Sequence, residues 1–171
     1  VGYDYNLISV QLGYAYYHPA YKTSAFIDIT QGTAVLGTPN LRIQLGLQTW
    51  QGSSKKFNFR NSIAFVYSHS SNKAGNYKGL GLNIQINAGF TLNRLGIGAD
   101  FQYNPFFATQ IRHTEFYRQY YYNDVKDGWY KNTANNLRVG GYASLMINKR
   151  RSFELSLRAG YQTSGQFDKL A

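Results

Sequence analysis

Residues 80–92 read LGLNIQINAGFTL, and their alternation is unbroken. Leu80, Leu82, Ile84, Ile86, Ala88, Phe90 and Leu92 fall on one side, with Gly81, Asn83, Gln85, Asn87, Gly89 and Thr91 on the other. Successive side chains of an extended chain point to opposite faces, so the stretch predicts a strand with one apolar and one polar face. The next segment repeats the rule, setting Leu95, Ile97, Ala99, Phe101 and Tyr103 against Gly96, Gly98, Asp100 and Gln102.

Working outward from this pair, five further segments alternate in the same way. Leu137, Val139, Gly141, Ala143, Leu145 and Ile147 oppose Arg138, Gly140, Tyr142, Ser144 and Met146. Phe153, Leu155, Leu157, Ala159 and Tyr161 oppose Glu154, Ser156, Arg158 and Gly160. Phe57, Phe59, Ile63, Phe65 and Tyr67 stand against Lys56, Asn58, Arg60 and Ser62, and Leu41, Ile43, Leu45 and Leu47 against Arg42, Gln44, Gly46 and Gln48. Near the start, Ile8, Val10, Leu12, Tyr14 and Tyr16 alternate with Ser9, Gln11, Gly13 and Ala15. Residues 23–36 are mixed on both faces and read either as an eighth strand or as part of a long loop.

The composition agrees with strands. The 171 residues have room for one domain, and 16 Tyr, 11 Phe and 17 Gly beside 3 Pro suit pleated strands and turns better than helices. The mean hydropathy is negative, as expected when every second residue of a strand is polar. No run approaches the roughly 18 apolar residues of a spanning helix. No Cys is present, which excludes a disulfide framework and thiolate metal sites. The chain opens at Val1 without a signal peptide and reads as processed or trimmed.

Short turns at 52–55, 93–94 and 148–151 alternate with longer loops at 68–78 and 104–136. That asymmetry is the habit of outer-membrane barrels. A soluble sandwich would carry mobile charge on its polar face, whereas here that face holds Gly, Asn, Gln and a few fixed charges. Arg60, Asp100, Arg138, Glu154 and Arg158 share it, and predict an ion-pair network in a lumen. Aromatics close the apolar face at its ends. Tyr16, Phe57, Tyr67, Phe90, Tyr103, Phe153 and Tyr161 form an expected girdle at the two membrane interfaces. The fold expected is therefore an all-β, antiparallel, up-and-down transmembrane β-barrel in a bacterial outer membrane, its partners lipid and lipopolysaccharide.

The net charge of +10 has a location, since Lys55, Lys56, Arg94, Lys149, Arg150 and Arg151 lie in or beside the short turns. Anionic headgroups would attract them there. Nucleic acid is not expected as a partner, because these cations are not on the aromatic face.

The pattern resembles the small eight-stranded outer-membrane barrels of the OmpA and OmpX type along the whole chain, without a diagnostic motif. The run DGWYKNTANNLRVG at 127–140 resembles outer-membrane barrel proteins of Bacteroidota. Counting 23–36 as loop gives seven strands and implies a missing C-terminal strand. Counting it as a strand places the start of the chain on the outer side and implies ten.

Three functional readings follow. The first is a non-enzymatic scaffold or accessory subunit, whose long loop binds another membrane protein. Phe116, Tyr117, Tyr120, Tyr121, Tyr122, Trp129 and Tyr130 would supply the contact area, since rigid aromatics are favoured at interfaces. The second is a narrow pore. The third comes from His69, Ser71 and Asn72, a run similar to the His-x-Ser of outer-membrane lipid A deacylases. That resemblance implies a His-activated Ser cleaving an acyl ester, but the position of the expected acid, near Asn83, is no carboxylate. His18 and His113 read as isolated surface residues, and no cofactor or metal is expected.

Overall fold

The structure, a computed structural model, describes residues 8–33, 39–51, 57–120, 126–147 and 154–165. The strands are β1 (Ile8–His18), β2 (Thr23–Thr33), β3 (Pro39–Gln51), β4 (Phe57–Ser71), β5 (Gly75–Leu92), β6 (Leu95–His113), β7 (Gly128–Met146) and β8 (Glu154–Gly165). One short helix, α1 (Glu115–Tyr120), follows β6. Each strand pairs antiparallel with its sequence neighbour, giving the order β1-β2-β3-β4-β5-β6-β7-β8. Among the described residues no ladder joins β1 to β8. They form the all-β, antiparallel up-and-down sheet expected, curved and not closed by hydrogen bonds.

The connections define two ends. At the turn end, β5 passes to β6 through Asn93 and Arg94, with Asn93 at φ 57°. Asn tolerates this left-handed conformation, which suits a two-residue hairpin. At the loop end, residues 72–74 join β4 to β5, and Asn72 Oδ1 accepts from the Ala74 and Gly75 N–H groups at 2.8 and 3.0 Å. Because 23–33 is a strand, β1 begins and β8 finishes at the loop end.

Curvature follows from contacts that skip strands. Arg42 on β3 donates to Asn104 on β6. Asn83 on β5 donates to Gln44 on β3 at 2.6 Å across β4, where register pairs Ala64 with Asn83 and Val66 with Gln44. In a flat sheet β3 and β6 would stand about 14 Å apart, so the polar face must be concave.

Burial is inverted relative to a soluble sheet. On the concave side Asn83, Gln85, Asn87, Asp100, Gln102 and Asn104 are buried, and among the described residues Phe26, Ala64 and Val66 are the only buried apolar side chains. On the convex side Leu12, Leu45, Ile97 and Leu157 are exposed, Leu157 by 75%. Phe26 explains why β2 reads ambiguously. It lies on the concave face, and register sets it beside Ala15 and Gly46, with Ala64 beyond, so small neighbours admit its ring.

Three expectations need correction. The loop at 104–136 is mostly strand, the true connection running from Thr114 to Asp127. The loop at 68–78 shrinks to 72–74 in the same way. The alternation is masked there because the convex face turns polar past Tyr67 on β4 and past Ala108 on β6, and because the register shifts between Phe106 and Ala108. Tyr16 also changes ends. With β2 a strand, β1 runs toward the turn end, so Tyr16 lies opposite the rim that Tyr67 approaches.

Glycine has a packing role on the concave face. Tyr142 of β7 lies over Gly98 of β6 and Gly89 of β5, and a Cβ on Gly98 would fall against the Ala88 carbonyl and 2.6 Å from Gly89 Cα. The obstacle is backbone, which cannot rotate away. Gly98→Ala is therefore expected to cost about 1–3 kcal/mol in urea unfolding from detergent. The convex Gly141, whose added Cβ would meet its nearest atom at 3.4 Å, should accept Ala with a change below about 0.5 kcal/mol.

Candidate functional site

The concave face is held by an amide and ion network. Asn83 donates to Gln44, and Gln102 donates to Asn83 at 2.9 Å and Asn104 at 3.4 Å. Gln85 donates to Asn87 at 3.1 Å. Of the charges expected in a lumen, Arg138 and Asp100 meet, with Arg138 Nη2 donating to Asp100 Oδ2 at 2.7 Å. Arg60 and Arg158 stand on the same face, opposite Asn87 and Tyr142. Glu154 is the first residue of β8, paired with Met146. Sequence reading missed Arg42 and the amides as members of this network. The polar row of β5 signalled the amides, but the Arg42–Asn104 bond depends on curvature that alternation does not encode.

The loop end is closed by a small cap. Thr114 donates its hydroxyl to Lys73 O at 2.6 Å and accepts from the Tyr117 N–H at 3.3 Å, tying the 72–74 hairpin to α1. Asp127 gathers the other side. It accepts from the His113 backbone N–H and the His113 Nδ1, both at 2.9 Å, and from Arg118 at 2.5 Å. The ring of Tyr117 stacks on His113 with centroids 5.3 Å apart. His113, expected as an isolated surface residue, is thus a central part of the cap, whereas His18 is exposed and lies against Tyr21. Burial beside Tyr117 pushes the Tyr77 hydroxyl pKa up, against a hydrogen bond with Asn72.

The backbone N–H of His113, then its ring, and then Arg118 hold Asp127 below its ordinary carboxylate value of 3.8. A depressed folded pKa means the cap's contribution is complete above that value and is lost as pH falls through the lower, folded one. Hydrogen exchange of the Thr114–Arg118 amides is therefore expected to accelerate only below about pH 4, and to be flat through neutrality as far as Asp127 is concerned. Asp127→Asn should remove the acid step.

The aromatic residues expected to bind a partner divide into two sets. Tyr117 is held by His113, and Tyr130 donates its hydroxyl to Lys126 O at 2.5 Å. Phe116 and Trp129 are exposed. Tyr120 ends α1, while Tyr121 and Tyr122 lie outside the described residues. Phe106 and Phe107 belong to β6: Phe106 covers Gly79 and Gly81, and Phe107 meets Phe65 at 5.9 Å.

Among girdle residues, Phe57 packs edge-on against Phe90 at 5.4 Å, and Tyr103 donates to Asn135 at 3.1 Å. Tyr161 is exposed on the convex face of β8. Phe153, with Lys55, Lys56 and Lys149 to Arg151, lies outside the described residues.

His69 and Ser71 do share the convex face, opposite Lys78 and Asn76. Asn83 is on the other face and is engaged with Gln44 and Gln102, so no acid approaches His69 from that position. No protein family matches the chain, and no curated protein or solved structure matches it.

Proposed function

We propose that this chain forms a wall of a bacterial outer-membrane β-barrel and acts without catalysis, as a scaffold or accessory subunit whose capped loop end is the binding surface. One observation carries the reading: the convex face exposes its apolar residues while the concave face buries hydrogen-bonded polar ones. Lipid is the solvent that rewards this arrangement, because strands that satisfy their backbone groups laterally are one of two structures able to cross hydrocarbon. The convex-face span from Phe57 to Tyr67, apolar except at Asn61, matches the roughly 9–11 residues of a tilted crossing strand. Phe116, presented by α1 on an ordered cap, supplies rigid contact area for a protein partner.

The test is integration. Mixed with phosphatidylcholine vesicles, the full chain should float with them, resist protease across its strands and show heat-modifiable gel mobility. A chain that stays soluble and digestible sinks the reading. Side chains bridging β3 to β5 and β6 obstruct the concave face, which favours a scaffold over a pore, so planar bilayers should give a flat current trace. Ser71→Ala is expected to leave lipid A acylation unchanged by mass spectrometry. Loss of deacylation would reinstate the His69–Ser71 enzyme.

A further inference from the structure

The strands β5, β6 and β7 are 18 or 19 residues long, well beyond the roughly 9–11 needed to cross a bilayer. Their loop-end halves stand as a wall above the apolar band, and the convex side of that wall has a definite composition. Register aligns Tyr67, Leu80, Ala108 and Lys131 in one row, and His69, Lys78, Gln110 and Trp129 in the next. Ser71, Asn76 and Arg112 follow. The step from apolar to cationic occurs within one row.

Lys78, Lys131 and Arg112 thus share a face directly above the apolar band. Neighbouring strands lie about 4.8 Å apart and alternate residues about 6.8 Å, so the three cations cover a patch roughly 14 Å in its longest dimension. Arg112 and Lys131 are exposed, and none of the three side chains has a hydrogen-bond or ion-pair partner among the described residues. No acid stands on this side of the described β4–β7 wall, and Asp127 of the cap is already engaged with His113 and Arg118. Trp129, 58% exposed, sits in the row just above the band, where an indole has apolar surface for acyl chains and an N–H for the headgroup layer.

We infer that this patch binds the phosphate groups of lipids in the leaflet surrounding the loop end. The inference rests on the membrane reading above. Continuity with the apolar band selects lipid-borne phosphate, since a ligand seated there has its headgroup at the cations and its chains along Leu80 and Phe107. Lys and Arg attract anionic headgroups through a field that fades within a Debye length, so cations one row from the band act where those in the cap do not.

Spin-labelled phosphatidylglycerol and phosphatidylcholine, each in vesicles holding the full chain, report how strongly either headgroup is retained at the protein boundary. The wild-type chain should prefer phosphatidylglycerol. In Lys78→Gln/Lys131→Gln that preference should fall by about three-fold or more. The charge-matched cap variant Lys73→Gln/Lys126→Gln should retain it. An unchanged preference in the first variant, or an equal fall in the second, overturns the inference while leaving the membrane reading intact. If neither labelled lipid is immobilised because the chain does not enter the vesicles, the membrane reading fails and the inference falls with it.

Discussion

Replacing Arg138 with Met is expected to destabilise the folded protein by about 3–5 kcal/mol, the range for removing one partner of a buried ion pair. Asp100 is 2% exposed, and its Oδ2 receives Arg138 at 2.7 Å while its Oδ1 has no hydrogen bond. Met approximates the length of Arg without its charge, leaving the carboxylate in place and unneutralised. Urea unfolding from detergent, followed by tryptophan fluorescence, should show a large drop in midpoint with little change in slope. Asp100→Asn/Arg138→Met should recover much of the loss, because two neutral groups do not impose the cost of an uncompensated charge. A loss below about 1 kcal/mol in the single variant would show that Asp100 has its charge balanced elsewhere.

Ile84→Arg should be the most damaging exchange on the opposite face. Ile84 lies mid-strand in β5 with its side chain on the convex face, between Ile63 and Tyr103 in register. A cation near the middle of a bilayer costs a barrel about 2–4 kcal/mol. The fraction of chain reaching the heat-modifiable folded form in phosphatidylcholine vesicles is therefore expected to fall steeply. Gln110→Arg, on the same side of the sheet but above the band, should insert like wild type. The pair separates lipid from water as the solvent of this face. In water an exposed Ile tolerates Arg, so equal folding of both variants would count against the membrane.

Much of this was legible in advance. Alternation from Leu80 to Leu92 places each of those β5 residues on the face where it lies, and β6 up to Tyr103 follows the same rule. What stayed illegible has physical causes. Phe26 breaks the polar row of β2 because its neighbours on adjacent strands, Ala15 and Gly46, are small, which only register reveals. The upper halves of β6 and β7 lost their apolar signal because Gln110 and Lys131 stand on the convex side beyond the aromatic rim. Arg138 and Asp100 could be assigned to one face, but not distinguished from Arg60 or Arg158 as the pair that touches. His113 gave no sign of its role, since Asp127 reaches it across a connection that spacing alone read as loop.

The serial order of the strands also bears on how the sheet assembles. Among the described residues each of the eight meets its chain neighbour and no ladder joins distant strands, so the entropic cost of loop closure is met one hairpin at a time. The two-residue turn at Asn93 gives β5 and β6 the tightest described starting hairpin. Growth from there can proceed one strand at a time in both directions, toward β1 and toward β8. The outermost described strands then join last and, each paired on one side among the described residues, should be first to fray.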